Sequence, residues 1–122
     1  LHDALLGDPH IRLPRRPPQE QFVGSSLQFS LVGMARAQMQ ETIAACARGG
    51  VHVKWFGADE PVGFTSVWQH WRYFGQAQSL PRAEHVLGGL CDLRLPLSLS
   101  QADCRAIGQV IRRAVQAALT TS

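Results

Sequence analysis

In the stretch Phe22-Val23-Gly24-Ser25-Ser26-Leu27-Gln28-Phe29-Ser30-Leu31, the apolar residues Leu27, Phe29 and Leu31 alternate with Ser26, Gln28 and Ser30. Successive strand side chains point to opposite faces, so this period of two predicts a strand over 22–31 with one apolar face and one wet face. The period then changes. Met39, Ile43 and Cys46/Ala47 recur at helical spacing and Gly49-Gly50 supplies a C-terminal stop, which predicts a helix from about Ala35 to Arg48. Val51, Val53 and Trp55 then share one face of a second strand over 51–56. A one-sided strand beside a one-sided helix buries both apolar surfaces only when the two are layered.

Working outward, residues 1–6 read as the tail of a helix stopped by Gly7 and Pro9. Pro14, Pro17 and Pro18 make the stretch up to Glu20 an extended linker. On the other side, the stretch from Gly57 to Leu80 is irregular and rich in aromatics: Phe64, Trp68, Trp71, Tyr73 and Phe74. A loop of that length in a small domain is usually functional, and this aromatic content predicts that it packs on something. A short helix near Arg82–Leu90 leads to a third strand, Asp92–Pro96. The last helix opens at Ser100, with Asp103 three residues on as a variant capping box, and carries Ile107, Val110/Ile111 and Ala114 on one face to about Leu119. The predicted architecture is an α/β (α+β) two-layer sandwich, a small mixed or antiparallel sheet with helices packed on one face. Residues 1–20 are assigned to the end of an interdomain helix plus a Pro/Arg-rich linker, and 21–122 to the domain itself.

With 122 residues there is room for one domain and not two. Charged residues make up only 17% against about 25% in an ordinary domain, which excludes disorder by charge excess. Low charge with normal apolar content suggests that part of the surface is covered by another protein or by further chain. The net charge of +3 is carried almost entirely by arginine, because Lys54 is the only lysine. Arg12, Arg15 and Arg16 stand among prolines, as in a solvated loop rather than a nucleic-acid interface with interleaved aromatics. No apolar run approaches the ~18 residues of a membrane span. Leu1-His2-Asp3-Ala4 lacks the features of a signal peptide and reads as the interior of a longer polypeptide. Cys46, Cys91 and Cys104 form no close-spaced pair, so they are expected to be reduced thiols of a cytoplasmic protein, with no metal site.

The segment Thr65-Ser66-Val67-Trp68-Gln69-His70-Trp71-Arg72-Tyr73 sets polar groups and a guanidinium among large aromatic surfaces. An arginine so placed can grip a carboxylate or phosphate through two parallel hydrogen bonds, or stack on an aromatic ring for packing alone. His70 has no nucleophile motif beside it and is expected to be structural. Asp59 and Glu60 stand at a Pro61 turn and are expected to be solvated. Gly88-Gly89 is a helix stop, with no phosphate-loop pattern around it. Lys54 is expected to extend from the far face of its strand. No catalytic residue emerges from these patterns.

A resemblance supplies what they do not. Leu80-Pro81-Arg82-Ala83-Glu84, then Leu93-Arg94-Leu95-Pro96-Leu97, then Ser100-Gln101-Ala102-Asp103 and the closing helix resemble the C-terminal end of DegT/DnrJ/StrS-type aminotransferases, which are pyridoxal-phosphate-dependent enzymes of fold type I. Gly49-Gly50-Val51-His52-Val53-Lys54-Trp55-Phe56-Gly57 also fits their small domain, and the likeness spans residues 20–118. It implies a C-terminal small domain that closes one side of an active site. The lysine that carries pyridoxal 5'-phosphate and the other cofactor contacts would then lie in a large N-terminal domain outside this chain. It further implies an amino-acid donor, a keto or sugar carbonyl acceptor and a homodimeric whole enzyme. Arg72 is the expected contact for a substrate carboxylate, with Thr65 and Ser66 as polar neighbours. The Trp-Arg-Tyr segment stands where the sugar-modifying branch has a histidine-containing loop, which favours an amino or keto acid over a nucleotide sugar. Two other readings remain open: a stand-alone α/β ligand- or protein-binding module, and a nucleic-acid binder driven by arginine.

Overall fold

A computed structural model of the chain describes residues 1–61, 66–71, 75–76 and 78–121. In chain order the elements are α1 (His2–Leu5), β1 (Ile11–Arg12), β2 (Ser26–Leu31), α2 (Arg36–Arg48), β3 (Lys54–Trp55), a 3-10 turn (Trp68–His70), α3 (Pro81–Gly89), β4 (Leu90–Arg94) and α4 (Gln101–Thr120). The four strands form one sheet in the order β1-β2-β4-β3, and every neighbouring pair is antiparallel.

The register explains how period-two patterning becomes a core. Leu27 stands opposite Leu93, Phe29 opposite Cys91, Trp55 opposite Cys91 and Ile11 opposite Leu31, so these residues share the inner face. All of them are buried, in one cluster with Cys46 of α2 and Ile111, Ala114 and Val115 of α4. Helices α2 and α4 therefore form the second layer, packed on each other and on that face, and α1 rests on α4. This is the α+β sandwich the patterning predicts. The outer face carries the alternate positions, among them Ser26, Gln28, Asp92 and Arg94, as an antiparallel sheet with one wet side allows.

Helix ends and turns follow local chemistry. Ser100 Oγ accepts a hydrogen bond from the Asp103 N–H at 3.1 Å, and Asp103 accepts one from the Ser100 N–H at 2.8 Å, closing the capping box. In α2 the inward stripe is Thr42 and Cys46, with Met39 and Ile43 partly buried beside it. Thr42 is tolerated there because its hydroxyl donates to the Gln38 carbonyl at 2.8 Å. Gly50 closes the helix at φ +81°, a left-handed conformation that favours glycine, and the Val51 N–H returns to the Cys46 carbonyl.

Four boundaries differ from the sequence reading, each for a local reason. The strand expected over 22–31 begins at Ser26. Before it, a Ser25 N–H to Val23 carbonyl turn leaves the ladder, and Phe22 lies 3.5 Å beneath the Arg16 guanidinium. Of 51–56 only Lys54–Trp55 pair in the sheet, because Val51 is tied to the end of α2, yet Val51, Val53 and Trp55 are all buried as expected. The third strand is Leu90–Arg94 and not Asp92–Pro96, since α3 runs straight into it. Within the expected linker, Ile11–Arg12 form an edge strand on β2, and the same segment sends Leu5 and Ile11 into the common core.

The two glycines that end α3 differ sharply in what surrounds them. A Cβ on Gly88 would meet nothing within 4 Å, whereas a Cβ on Gly89 would strike the Leu31 carbonyl oxygen. The obstacle is backbone and cannot rotate away. Gly88→Ala is therefore expected to be neutral or to stabilise by up to ~1 kcal/mol through helix propensity. Gly89→Ala should cost about 1–3 kcal/mol through overpacking. Urea denaturation of the two variants measures the difference directly.

Candidate functional site

At the β3 edge of the sheet the core residue Trp55 meets the end of α3 and a charged pair, Arg36 and Asp59. The Trp55 indole Nε1 donates to the Gly88 carbonyl at 2.8 Å, tying β3 to the end of α3 across 33 residues of sequence. Gly57 fits against the same carbonyl, because a Cβ there would lie 2.5 Å from the Gly88 oxygen and 2.7 Å from the Trp55 ring. Past this turn, Asp59 accepts a 2.6 Å hydrogen bond from Arg36 Nη2, and the Arg36 guanidinium carbon stands 5.2 Å from the centre of a Trp55 ring. Arg36 thus belongs to the first turn of α2 and yet works at the loop, resting on an indole and paired with a carboxylate. Both partners are solvent-accessible, at 53% and 84% of their side chains, so the pair orients the loop more than it stabilises the fold.

These residues enclose a cleft of about 420 Å³ between the loop and α3, with Glu84, His70 and Gln69 on its walls. A wider groove of about 640 Å³ adjoins it between the start of α2 and α3, with Arg36, Glu84 and Gly88 common to both. These volumes lie in the range of small-ligand sites. The walls of the smaller cleft offer one guanidinium, two carboxylates and an imidazole, which can bind and orient a polar ligand.

Of the residues expected to contact substrate, Arg72 and Thr65 lie outside the described residues. Ser66 is fully buried beside buried Val67. His70 lies exposed on the cleft wall, and Asp59 is solvent-exposed as expected while also pairing with Arg36. Arg36 was not legible as a site residue, because 23 residues separate it from its partner and its local pattern is that of a helix start. Gly88-Gly89 ends a helix as predicted, with the added role of docking Trp55 and Leu31. Lys54 extends from the outer face as expected, with its ammonium 5.2 Å from the Phe56 ring centre and Asp92 opposite in register. Among the described residues no three His, Cys, Asp or Glu side chains gather as metal ligands, and no helix is long and apolar enough to cross a membrane.

Comparison with protein-family models gives no match, and comparison with curated proteins gives none either.

The three cysteines are free thiols in different settings. Cys46 and Cys91 are buried, and Cys104 is partly exposed on α4. Burial pushes the Cys46 thiol up to about 11 and raises Cys91 further, the latter with help from neighbouring Cys46 and Asp92. Both are held neutral and unreactive in the fold, whereas an unfolded thiol ionises near pH ~8.5. The unfolded chain therefore releases protons first as pH rises, so this contribution to stability is complete below that value and is lost towards pH 11. Near neutral pH a thiol reagent should modify Cys104 alone, with Cys46 and Cys91 reacting only in denaturant. Stability measured by urea unfolding should fall across the alkaline window, and less steeply in Cys46→Ala.

Proposed function

We propose that this chain is the C-terminal small domain of a pyridoxal-phosphate-dependent aminotransferase of the DegT/DnrJ/StrS type. Its work would be to close one side of the active site and hold the substrate. The observation that carries the reading is the order of elements together with their placement. Helix α2 leads by way of the extended Val51-His52-Val53 into β3, and Gly57 and Asp59 after it lie against Gly88 and Arg36 beside a polar cleft at the sheet edge. That order matches the motif series quoted above, which runs from Gly49-Gly50-Val51 to Ser100-Gln101-Ala102-Asp103. The reaction is transfer of an amino group between an amino acid and a keto or sugar carbonyl compound, in a cytoplasmic homodimer.

The residues of this chain do not fit the cofactor on their own. A pyridoxal-phosphate enzyme needs a lysine whose amine can lose its proton, and Lys54 lies instead on the outer face opposite the Asp92 carboxylate and over Phe56. In this reading the cofactor belongs to the large N-terminal domain. The chain itself supplies binding, orientation and exclusion of water. Arg72, with Thr65 and Ser66 near it in sequence, is assigned to the substrate carboxylate. The alternative is a stand-alone binding module that uses the same cleft. It is favoured by the fact that Leu5 of α1 and Ile11 of β1 share one core with β2, β4, α2 and α4.

An immunoblot of source cells with an antibody to this chain separates the two. The aminotransferase reading expects a band well above the mass of a 122-residue chain, and a band at that mass transfers the case to the binding module. In the larger polypeptide, Arg72→Ala should raise KM for the amino-acid donor by roughly 10- to 100-fold, the loss of a charge-assisted hydrogen-bonded contact. The 122-residue chain with added cofactor should transaminate nothing, and any turnover by it would sink the assignment.

A further inference from the structure

The outer face of the sheet holds the whole charge imbalance of the molecule. Arg12, Lys54, Asp92 and Arg94 occupy outward positions in the ladder. The segment before β2 lies along the same side, where Arg15, Arg16, Glu20 and Phe22 line a hollow of about 290 Å³ with outward-facing Ser26 and Gln28. Five basic and two acidic residues thus share this face, a surplus equal to the net charge of +3 of the entire sequence. The rest of the chain is balanced.

Part of that charge is neutralised in place. Arg16 pairs with Glu20 at 2.9 Å, and Lys54 stands opposite Asp92. Arg12, Arg15 and Arg94 are exposed, and no ion pair with a described residue engages them. One end of the face is apolar as well. The Leu95 N–H bonds to the Ser25 carbonyl at 2.8 Å, which brings the segments of Val23 and Leu97 side by side. Phe22, Val23 and Leu97 are exposed to 49%, 78% and 102%. Isolated exposed apolar residues need no explanation, but Phe22 and Leu97 each line a hollow with outward-facing Ser26, at one end of a cationic face, an interface pattern in which arginine and aromatic side chains are enriched.

We propose that this outer face docks an acidic segment of a partner protein. An apolar side chain of the partner would rest at the Phe22/Leu97 end, and its carboxylates would run towards Arg94, Arg15 and Arg12. From Ser26 to Ser30 the face measures about 13 Å along β2, the reach of an extended peptide of four or five residues. The guanidinium fork suits a carboxylate through two parallel bonds. A nucleic-acid strand is the poorer fit, because it calls for aromatic faces open to stacking, and Arg16 covers the Phe22 ring at 3.5 Å. This inference does not rest on the aminotransferase reading.

The test uses the 122-residue chain and a synthetic peptide, acetyl-Leu-Phe-Glu-Asp-Glu-Glu-amide, followed by NMR titration. Binding should shift resonances of β1, β2 and the 22–25 and 94–97 segments. Replacing the acids of the peptide by Gln and Asn should weaken binding about tenfold or more, as should the double variant Arg12→Glu/Arg94→Glu. Arg105→Glu/Arg113→Glu, exposed on α4 and identical in charge change, should leave affinity within about twofold. The proposal is overturned if the peptide does not bind, if both double variants weaken it equally, or if oligothymidylate binds this face more tightly than the peptide does.

Discussion

The arrangement of this molecule depends on one close approach of backbone, where α3 ends beside β2 and turns into β4. Gly89 lies against the Leu31 carbonyl with no room for a side chain, and the carbonyl of Gly88 receives the Trp55 indole N–H. Two strands distant in sequence are fixed by this contact, β2 through Leu31 and β3 through Trp55. Because α3 leads directly into β4 at Leu90, the end of the helix also marks where the central ladder begins, with Ser30 opposite Leu90. A register slip of one residue would turn Leu27, Phe29 and Leu31 out to solvent. The burial of that whole apolar face is what holds the register.

The cleft lies beside the same contact, with Gly88 on its wall. Trp55 reaches α3 from the inner side of the sheet, and its indole makes the floor on which Arg36 rests. Gly57 must pass within contact of that indole and of Gly88, which throws the chain outward and brings Asp59 to Arg36. Of the charged walls, Arg36 is carried on α2, which packs in the core, Glu84 on α3, and Asp59 and His70 on the loop between, where the exposed Arg36–Asp59 pair adds orientation at little energetic cost. A scaffold that fixes the backbone and leaves polar side chains at its edge is what a ligand site requires.

How much of this was legible follows the range of each interaction. Local periodicities revealed β2, α2, α3 and α4, since alternation at Leu27/Phe29/Leu31 and the Ser100/Asp103 cap are written within a few residues. Ile11–Arg12 escaped, because two residues between prolines and a turn have no period, and their strand exists only through pairing with Ser30 and Leu31. The strand ends shifted for the same reason: Phe22 has the residue type of a strand but lies beneath Arg16. In the cleft, Arg36, Glu84 and Gly88 were not legible, since only tertiary packing brings α2 and α3 to the loop after Trp55.

The low content of charge has a structural counterpart in how the two sheet faces divide their work. Antiparallel alternation lets neighbouring residues serve opposite ends, so Cys91 and Leu93 pack the core while Asp92 and Arg94 face away. The inward residues of the strands are buried against α2 and α4, where no charge is needed. On the remaining surface opposite charges balance, with Arg36–Asp59, Arg48–Glu41 and Arg112–Asp8 as examples. Self-repulsion among Arg12, Arg15 and Arg94 does nothing for folding, because none of them supports the core and each remains in water. A cationic surplus gathered on one face, beside exposed Phe22, Val23 and Leu97, is better accounted for by what that face meets than by what holds the domain together.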